Sequence, residues 1–256
     1  MESNLDLFYD VMLKENIHYN KDILMFVLDN LFQEFDFKDK NVLDIGGGSG
    51  LYSLYAAFKG AKKVVCIEPE SEGSRSGVQE KFSKLQNILG LSNVTLIPIT
   101  FQLYESENES FDLILLHNSI NHLNETACIN LLINAESKVI YQSILSKLFR
   151  LSRKNAKLII CDCSRYNYYH WLNIRNPYAE TIEWHKHQKP EVWVIMLRLA
   201  GFTNPKIRWK SLDKWKNIGK FLTGNKWMSY FIHSHFCISM VKPGMVVKQK
   251  PQQEPD

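Results

Sequence analysis

Two acids and a run of glycines form the most specific chemical pattern in the sequence. Residues 42–50 read VLDIGGGSG: Asp44 precedes Gly46 by two positions, and Gly47, Gly48 and Gly50 follow. Glycine loses more chain entropy on folding than any other residue, so such a cluster calls for something that must lie against the backbone. Glu68 closes the next apolar run, KVVCIE, and His117 and His122 flank the stretch after FDLILL. A carboxylate can take two hydroxyls, and a histidine can take a proton near neutral pH. A bare backbone at the start of a helix can receive an anionic or adenosine-like ligand.

The elements that must hold these residues follow from the apolar spacing. Residues 41–46, Lys63–Glu68, Asn93–Thr100, Phe111–Leu116 and Lys157–Asp162 are short apolar runs and predict five buried strands. Pro98 demotes the third towards a sheet edge or an early end. Helical spacing covers Leu51–Lys59, Ser76–Leu89, two segments between Glu125 and Arg150, and Glu191–Ala200, with Gly60, Gly90 and Gly201 as stops. Two helices are expected before residue 40, the second capped by Asn20. Lys206–Trp209 and Tyr230–Val241 are read as a sixth and seventh strand. Apolar strands alternating with helices predict an α/β fold: a mostly parallel, Rossmann-like seven-stranded sheet with helices on both faces. One domain is expected over residues 1–242, followed by a polar, proline-containing tail, 243–256.

Composition fits this frame. A chain of 256 residues can bury a large core without covalent staples. Five cysteines, an odd number mostly inside apolar runs, read as reduced thiols of a cytoplasmic protein rather than a disulfide framework. The N-terminus has acids and no basic leader segment, and no apolar run reaches membrane-spanning length, so no membrane partner is expected. The net charge of +4 divides into −7 over residues 1–110 and +11 over residues 111–256. That asymmetry is either a solvated face or a surface turned towards something anionic.

A dinucleotide site would place a third glycine where Leu51 stands, so the loop fits that pattern imperfectly. Asp44-x-Gly46-x-Gly48-x-Gly50 instead resembles the first motif of the class I S-adenosylmethionine-dependent methyltransferases. The resemblance extends along residues 41–162 and, more loosely, 189–241. It implies that Glu68, at the end of the second strand, grips the ribose hydroxyls of the cofactor S-adenosylmethionine. The family's adenine-side position corresponds to Thr100 and Phe101, which leaves that contact to stacking and backbone. FDLILLHNSINHL matches the fourth strand and its His-Leu ending, so His117 is placed with the cofactor residues and His122 as the catalytic base. Asn155-Ala156 stands where the family usually has two glycines, and Gly201-Phe202 matches a common helix ending.

Around this frame the sequence offers looser signals. Residues 163–190 and 208–228 are read as substrate-side insertions, and residues 1–38 as a helical lid. His170, His185 and His187 lie among many aromatics, but their spacing is too weak for a metal site, and none is assigned. Cys161 and Cys163 alternate with Asp162 and imply no thiol catalysis. RWKSLDKWKNIGKFLTGNK mixes bases with aromatics, a pattern found in nucleic-acid binders and equally in a helix with a core face and solvated lysines. The expected activity is methyl transfer to a small molecule, with an anionic acceptor as the sharper form. The rivals are an RNA methyltransferase using the basic half and a non-catalytic cofactor-binding scaffold. HNSI is not the Asn/Asp-Pro-Pro-aromatic tetrad of amino-methylating nucleic-acid enzymes, which weighs against nucleic acid as a partner.

Overall fold

The computed structural model describes residues 2–33, 35–69, 77–210 and 224–244. Seven strands form one sheet in the order β3-β2-β1-β4-β5-β7-β6. They are β1 (Asn41–Ile45), β2 (Lys63–Ile67), β3 (Val94–Ile97), β4 (Phe111–His117), β5 (Ser152–Cys163), β6 (Thr203–Trp209) and β7 (His235–Val241). β1 to β5 pair in parallel, and β7 runs antiparallel to both β5 and β6. The central strands are apolar on both faces because both faces are covered.

Side-chain alternation divides the core in two. Leu43, Ile45, Ile114, Leu116, Leu158 and Ile160 point to one face. They meet α5 (Glu125–Ile129), α6 (Ala135–Leu151) and α8 (Pro190–Leu199) there. Val42, Leu113, Leu115 and Ile159 point to the other. That face is covered by α1 (Glu2–Lys14), α2 (Lys21–Phe32), α3 (Leu51–Phe58) and α4 (Val78–Ile88). Asn20 caps α2 as its position predicts, its Oδ1 accepting the Ile23 N–H at 2.9 Å. Phe8, Met12, Leu24, Leu28 and Phe32 of the two N-terminal helices are buried in this second core.

β3 lies at the sheet edge and stops one residue before Pro98, which cannot donate to a ladder. β5 begins at Ser152 rather than Lys157, because the chain pairs Ser152 with Phe111 before an irregularity. Asn155 there has φ 63°, a left-handed backbone that asparagine tolerates in place of the family's glycine. The last strand starts at His235 instead of Tyr230. Asn225 accepts the Met228 N–H at 3.0 Å and starts a short helix, α9 (Lys226–Phe231), whose last two residues fall in the span read as strand. A further short helix, α7 (Tyr168–Trp171), lies in the aromatic insertion after β5.

The reading of all five cysteines as reduced thiols needs correction. Cys161 and Cys237 form a disulfide 76 residues apart in sequence. The antiparallel β5–β7 register sets them directly opposite each other, a relationship that cysteine counting cannot reveal. Cys66, Cys128 and Cys163 are free and buried. Among the described residues no helix is long and apolar enough to cross a membrane.

Candidate active site

The glycine loop connects β1 to α3, at the carboxyl end of the sheet where open α/β folds bind ligands. Its four glycines serve different needs. A Cβ on Gly46 would lie 2.4 Å from Ser119 Cβ, one on Gly47 2.5 Å from Cys66 Sγ, and one on Gly50 2.2 Å from Phe82 Cδ2. These three are glycines because the protein itself fills the space. Gly48 has φ 54° and no atom within 4 Å of where its Cβ would be, so it alone opens onto empty room. The following helix has no side-chain cap at Gly50, so its first N–H groups have no capping side chain.

The two acids hold the loop and its helix through separate hydrogen bonds. Asp44 is 1% exposed and accepts the Ser53 hydroxyl at 2.7 Å, while its Oδ1 has no partner. Burial raises its carboxyl to about 6 despite the Ser53 hydrogen bond. Glu68 follows β2, and its Oε2 accepts the Gly48 N–H at 2.8 Å. Its carboxylate therefore stands at the open side of the loop. A cradle that only a missing side chain leaves free, with a carboxylate at its edge, suits a nucleoside ligand with ribose hydroxyls.

The end of β4 is locked to this loop. Ser119 Oγ donates to the Ile45 carbonyl at 2.6 Å, and the Asn118 N–H donates to the Cys161 carbonyl at 2.8 Å. Tyr52, the second residue of α3, brings its hydroxyl to 3.0 Å from His117 Nε2. Burial, with Lys210 nearby, pushes the His117 ring down to about 3, so it is a neutral hydrogen-bonding group. His122 lies on a single 3-10 turn, Asn121–Leu123. Its Nδ1 is 2.6 Å from Glu125 Oε1, and Lys186 Nζ lies 3.1 Å from the other oxygen of Glu125.

Beyond His117 a cleft of about 780 Å³, including its open mouth, separates α2 from β5, β7 and β6. Phe26, Val27, Leu31, Trp209 and Phe236 form apolar walls, and His117, Asn118, His235 and Lys210 supply polar groups. The Cys161–Cys237 disulfide is part of the same wall. Arg208 is also there, but its guanidinium donates to the Asn30 carbonyl at 2.6 Å and so holds the end of α2. Burial keeps His235 well below its ordinary value, aided by His233 and Lys210.

The structure therefore brings Asp44, Gly46, Gly47, Gly48, Gly50, Glu68 and His117 into one neighbourhood, through hydrogen bonds and packing that run from β1 to β4. Thr100 is exposed after β3. Phe101 has its ring in the core with Lys147 Nζ 5.3 Å from the centroid, so what it can present to a ligand is backbone. His122 is half exposed on the far side of the β4 loop. Sequence reasoning placed Lys210 among bases that could steer an anionic substrate, but it missed Tyr52, Ser53 and Ser119, whose partners are His117, Asp44 and Ile45. It also missed Glu125 beside His122, although the i, i+3 spacing was there to be read. Lys214, Lys216 and Lys220 of the basic segment lie outside the described residues, and Lys226 pairs with Glu191 at 2.7 Å.

Comparison with known proteins agrees with this geometry. A family model described as a methyltransferase domain matches residues 12–207. An S-adenosylmethionine-dependent methyltransferase from Aquifex aeolicus shares the fold at TM-score 0.58 and 17% identity, over 89% of this chain and 95% of that one. A Listeria monocytogenes protein held to be an S-adenosylmethionine-dependent methyltransferase aligns at TM-score 0.59 and 14% identity, over 88% and 100%. One from Methanosarcina mazei aligns at TM-score 0.52 and 20% identity, over 85% and 97%. At such identities the solved structures speak for the fold, and the family match covers most of the chain. The chain thus belongs to the class I S-adenosylmethionine-dependent methyltransferases, and S-adenosylmethionine is its cofactor.

Proposed function

We propose that this enzyme methylates a small, anionic acceptor held in the cleft between α2 and the β6–β7 edge. The observation that carries this reading is the lining of the cleft. It joins His117, which meets the glycine-loop helix through Tyr52, to Lys210 across apolar walls. Two imidazoles held neutral by burial offer hydrogen bonds, and the lysine supplies positive charge for a carboxylate or phosphate.

Glu68 would hold the ribose hydroxyls, Gly48 would let the ligand lie on the backbone, and Asp44 would keep the loop in shape from beneath. Thr100 and the Phe101 backbone would border the adenine. The cofactor, when bound, supplies a methyl group made electrophilic by its sulfonium. What remains for the chain is to position a nucleophile and keep water away. His122 stands outside the cleft lining and would take the proton of an acceptor that extends past Asn118 to the loop after β4, where Glu125 fixes the ring through Nδ1 and leaves Nε2 as the basic atom. His117, held neutral, would orient the acceptor.

The deciding experiment is transfer of a labelled methyl group from S-adenosylmethionine into fractionated cell extract, with and without ribonuclease. Label in a ribonuclease-resistant, low-mass fraction retained on an anion exchanger supports the reading. Label that disappears with ribonuclease would establish RNA as the acceptor.

A further inference from the structure

β5 ends in Asp162 and Cys163, and the turn Trp184–Lys186 delivers His187 to the same place. Consecutive side chains in a strand diverge to opposite faces, yet here the strand stops, and one donor atom each from Asp162, Cys163 and His187 lies within 4.8 Å of the others. We propose that these three side chains bind a zinc ion, which pins the aromatic insertion after β5 to the end of the sheet.

Four observations support the site. The donors are a carboxylate oxygen, a thiol sulfur and an imidazole nitrogen, a set suited to zinc and poorly suited to magnesium or calcium. Asp162 is fully buried and its Oδ2 has no hydrogen-bond partner, an expensive arrangement that a cation would resolve. His187 Nδ1 is already 2.9 Å from Asp162 Oδ1. Donors around a four-coordinate zinc stand roughly 3–4 Å apart, so only the sulfur has to close in. Finally, the segment carrying His187 is clamped: Arg165 Nε donates to the His187 carbonyl at 2.6 Å, and its NH2 donates to the His185 carbonyl at 2.7 Å.

On binding, the Cys163 S–H bond breaks, a sulfur–zinc bond forms and the proton passes to solvent. His235 Nδ1 faces the His233 carbonyl at 3.0 Å, so Nε2 of the neutral ring accepts the Cys163 S–H, 3.0 Å away, until the metal displaces that proton, and water would fill the fourth position. The site is separate from the Cys161–Cys237 disulfide and from the glycine loop.

The test needs neither cofactor nor acceptor. Purified chain is kept with a non-chelating phosphine, its zinc content is measured by mass spectrometry, and the metal-stripped protein is titrated with cobalt(II). The expected result is about one zinc per chain and a saturable sulfur-to-cobalt charge-transfer band. The band should persist in the Cys161→Ser/Cys237→Ser double variant. It should vanish in Cys163→Ser, and His187→Asn should weaken zinc at least tenfold, with far-ultraviolet dichroism verifying that the variants fold. Wild-type protein that shows no charge-transfer band overturns the proposal without any variant. A folded Cys163→Ser protein that binds zinc with unchanged affinity reduces the finding to an adventitious ion only.

Discussion

Glu68 Oε2 and the Gly48 N–H are hydrogen-bonded at 2.8 Å, so the acid ending β2 directly touches the one glycine of this loop with open space at its Cβ. Ligand recognition and loop shape are therefore joined at one contact. Substitutions at the four glycines should separate accordingly. Gly48→Ala adds a methyl group without a clash, at about 1–3 kcal/mol for its left-handed backbone. It should stay folded and lose S-adenosylmethionine affinity by calorimetry. Gly46→Ala and Gly50→Ala meet atoms at 2.4 and 2.2 Å and should lower the melting temperature instead. Equal cofactor affinity in Gly48→Ala and wild type would remove the loop from the binding site.

Glu68→Ala should weaken both S-adenosylmethionine and S-adenosylhomocysteine at least tenfold, since hydrogen bonds to a charged acceptor contribute about 1.5–3 kcal/mol each. A cofactor analogue lacking both ribose hydroxyls should bind wild type and variant alike. If the analogue still discriminates between them, Glu68 acts only by holding the loop.

Removing the proposed base should leave cofactor binding intact. His122→Ala is expected to lower kcat by about 10²–10⁴, the usual range for a general base. Glu125→Gln keeps a hydrogen-bonding partner for Nδ1 but removes the charge, so its loss should be smaller and its pH–rate profile shifted. Stopped turnover assays across pH decide this, and an unchanged kcat in His122→Ala returns the residue to a surface role.

Lys210→Gln tests the charge in the cleft. The acceptor KM should rise while kcat at saturation holds, and the salt dependence of kcat/KM should flatten, because exposed charges act over a Debye length of about 10 Å at 0.1 M. A wild-type response that is already flat with salt excludes an anionic acceptor steered by this residue. A much steeper response, about −0.7 per neutralised phosphate, indicates RNA.

Acid stability carries a signature of His117. Its ordinary value is 6.5 and its folded value about 3. Between these the unfolded chain holds more protons, so stability is full above 6.5 and falls as pH drops through the window, by up to about 1.4 kcal/mol per pH unit. Asp44 acts oppositely. Raised from 3.8 to about 6, it binds protons more readily when folded and returns stability as pH falls between those values. His117→Asn should therefore lose less stability than wild type from neutral pH to about 4.5 in chemical denaturation. Parallel curves for the two proteins contradict the buried, neutral ring.

The parallel part of the sheet was legible because its strands are apolar on both faces and its helices end on glycines. The glycine loop was legible because Gly46, Gly48 and Gly50 share their spacing with Asp44. What the sequence hid depends on register and remote partners. Nothing local announces that Cys161 faces Cys237, or that Tyr52 reaches His117. Tyr230 lies in a run that reads as strand, and a single cap at Asn225 turns its first part into helix. The aromatic-rich insertion hid its chemistry differently: His187 was visible beside His185, but its partner proved to be Asp162, which had been read only as the end of a strand.

The placement of β7 has a consequence for how the chain is made. β6 touches the sheet only through β7, which lies between it and β5. While a ribosome is still translating residues 235–241, β5 is a bare edge and β6 has no ladder to join. The nascent chain thus carries two unpaired strands until residues 235–241 emerge. A stalled or prematurely stopped product ending before His235 would lose two strands from the sheet rather than one, and would expose the aggregation-prone flank that β7 covers.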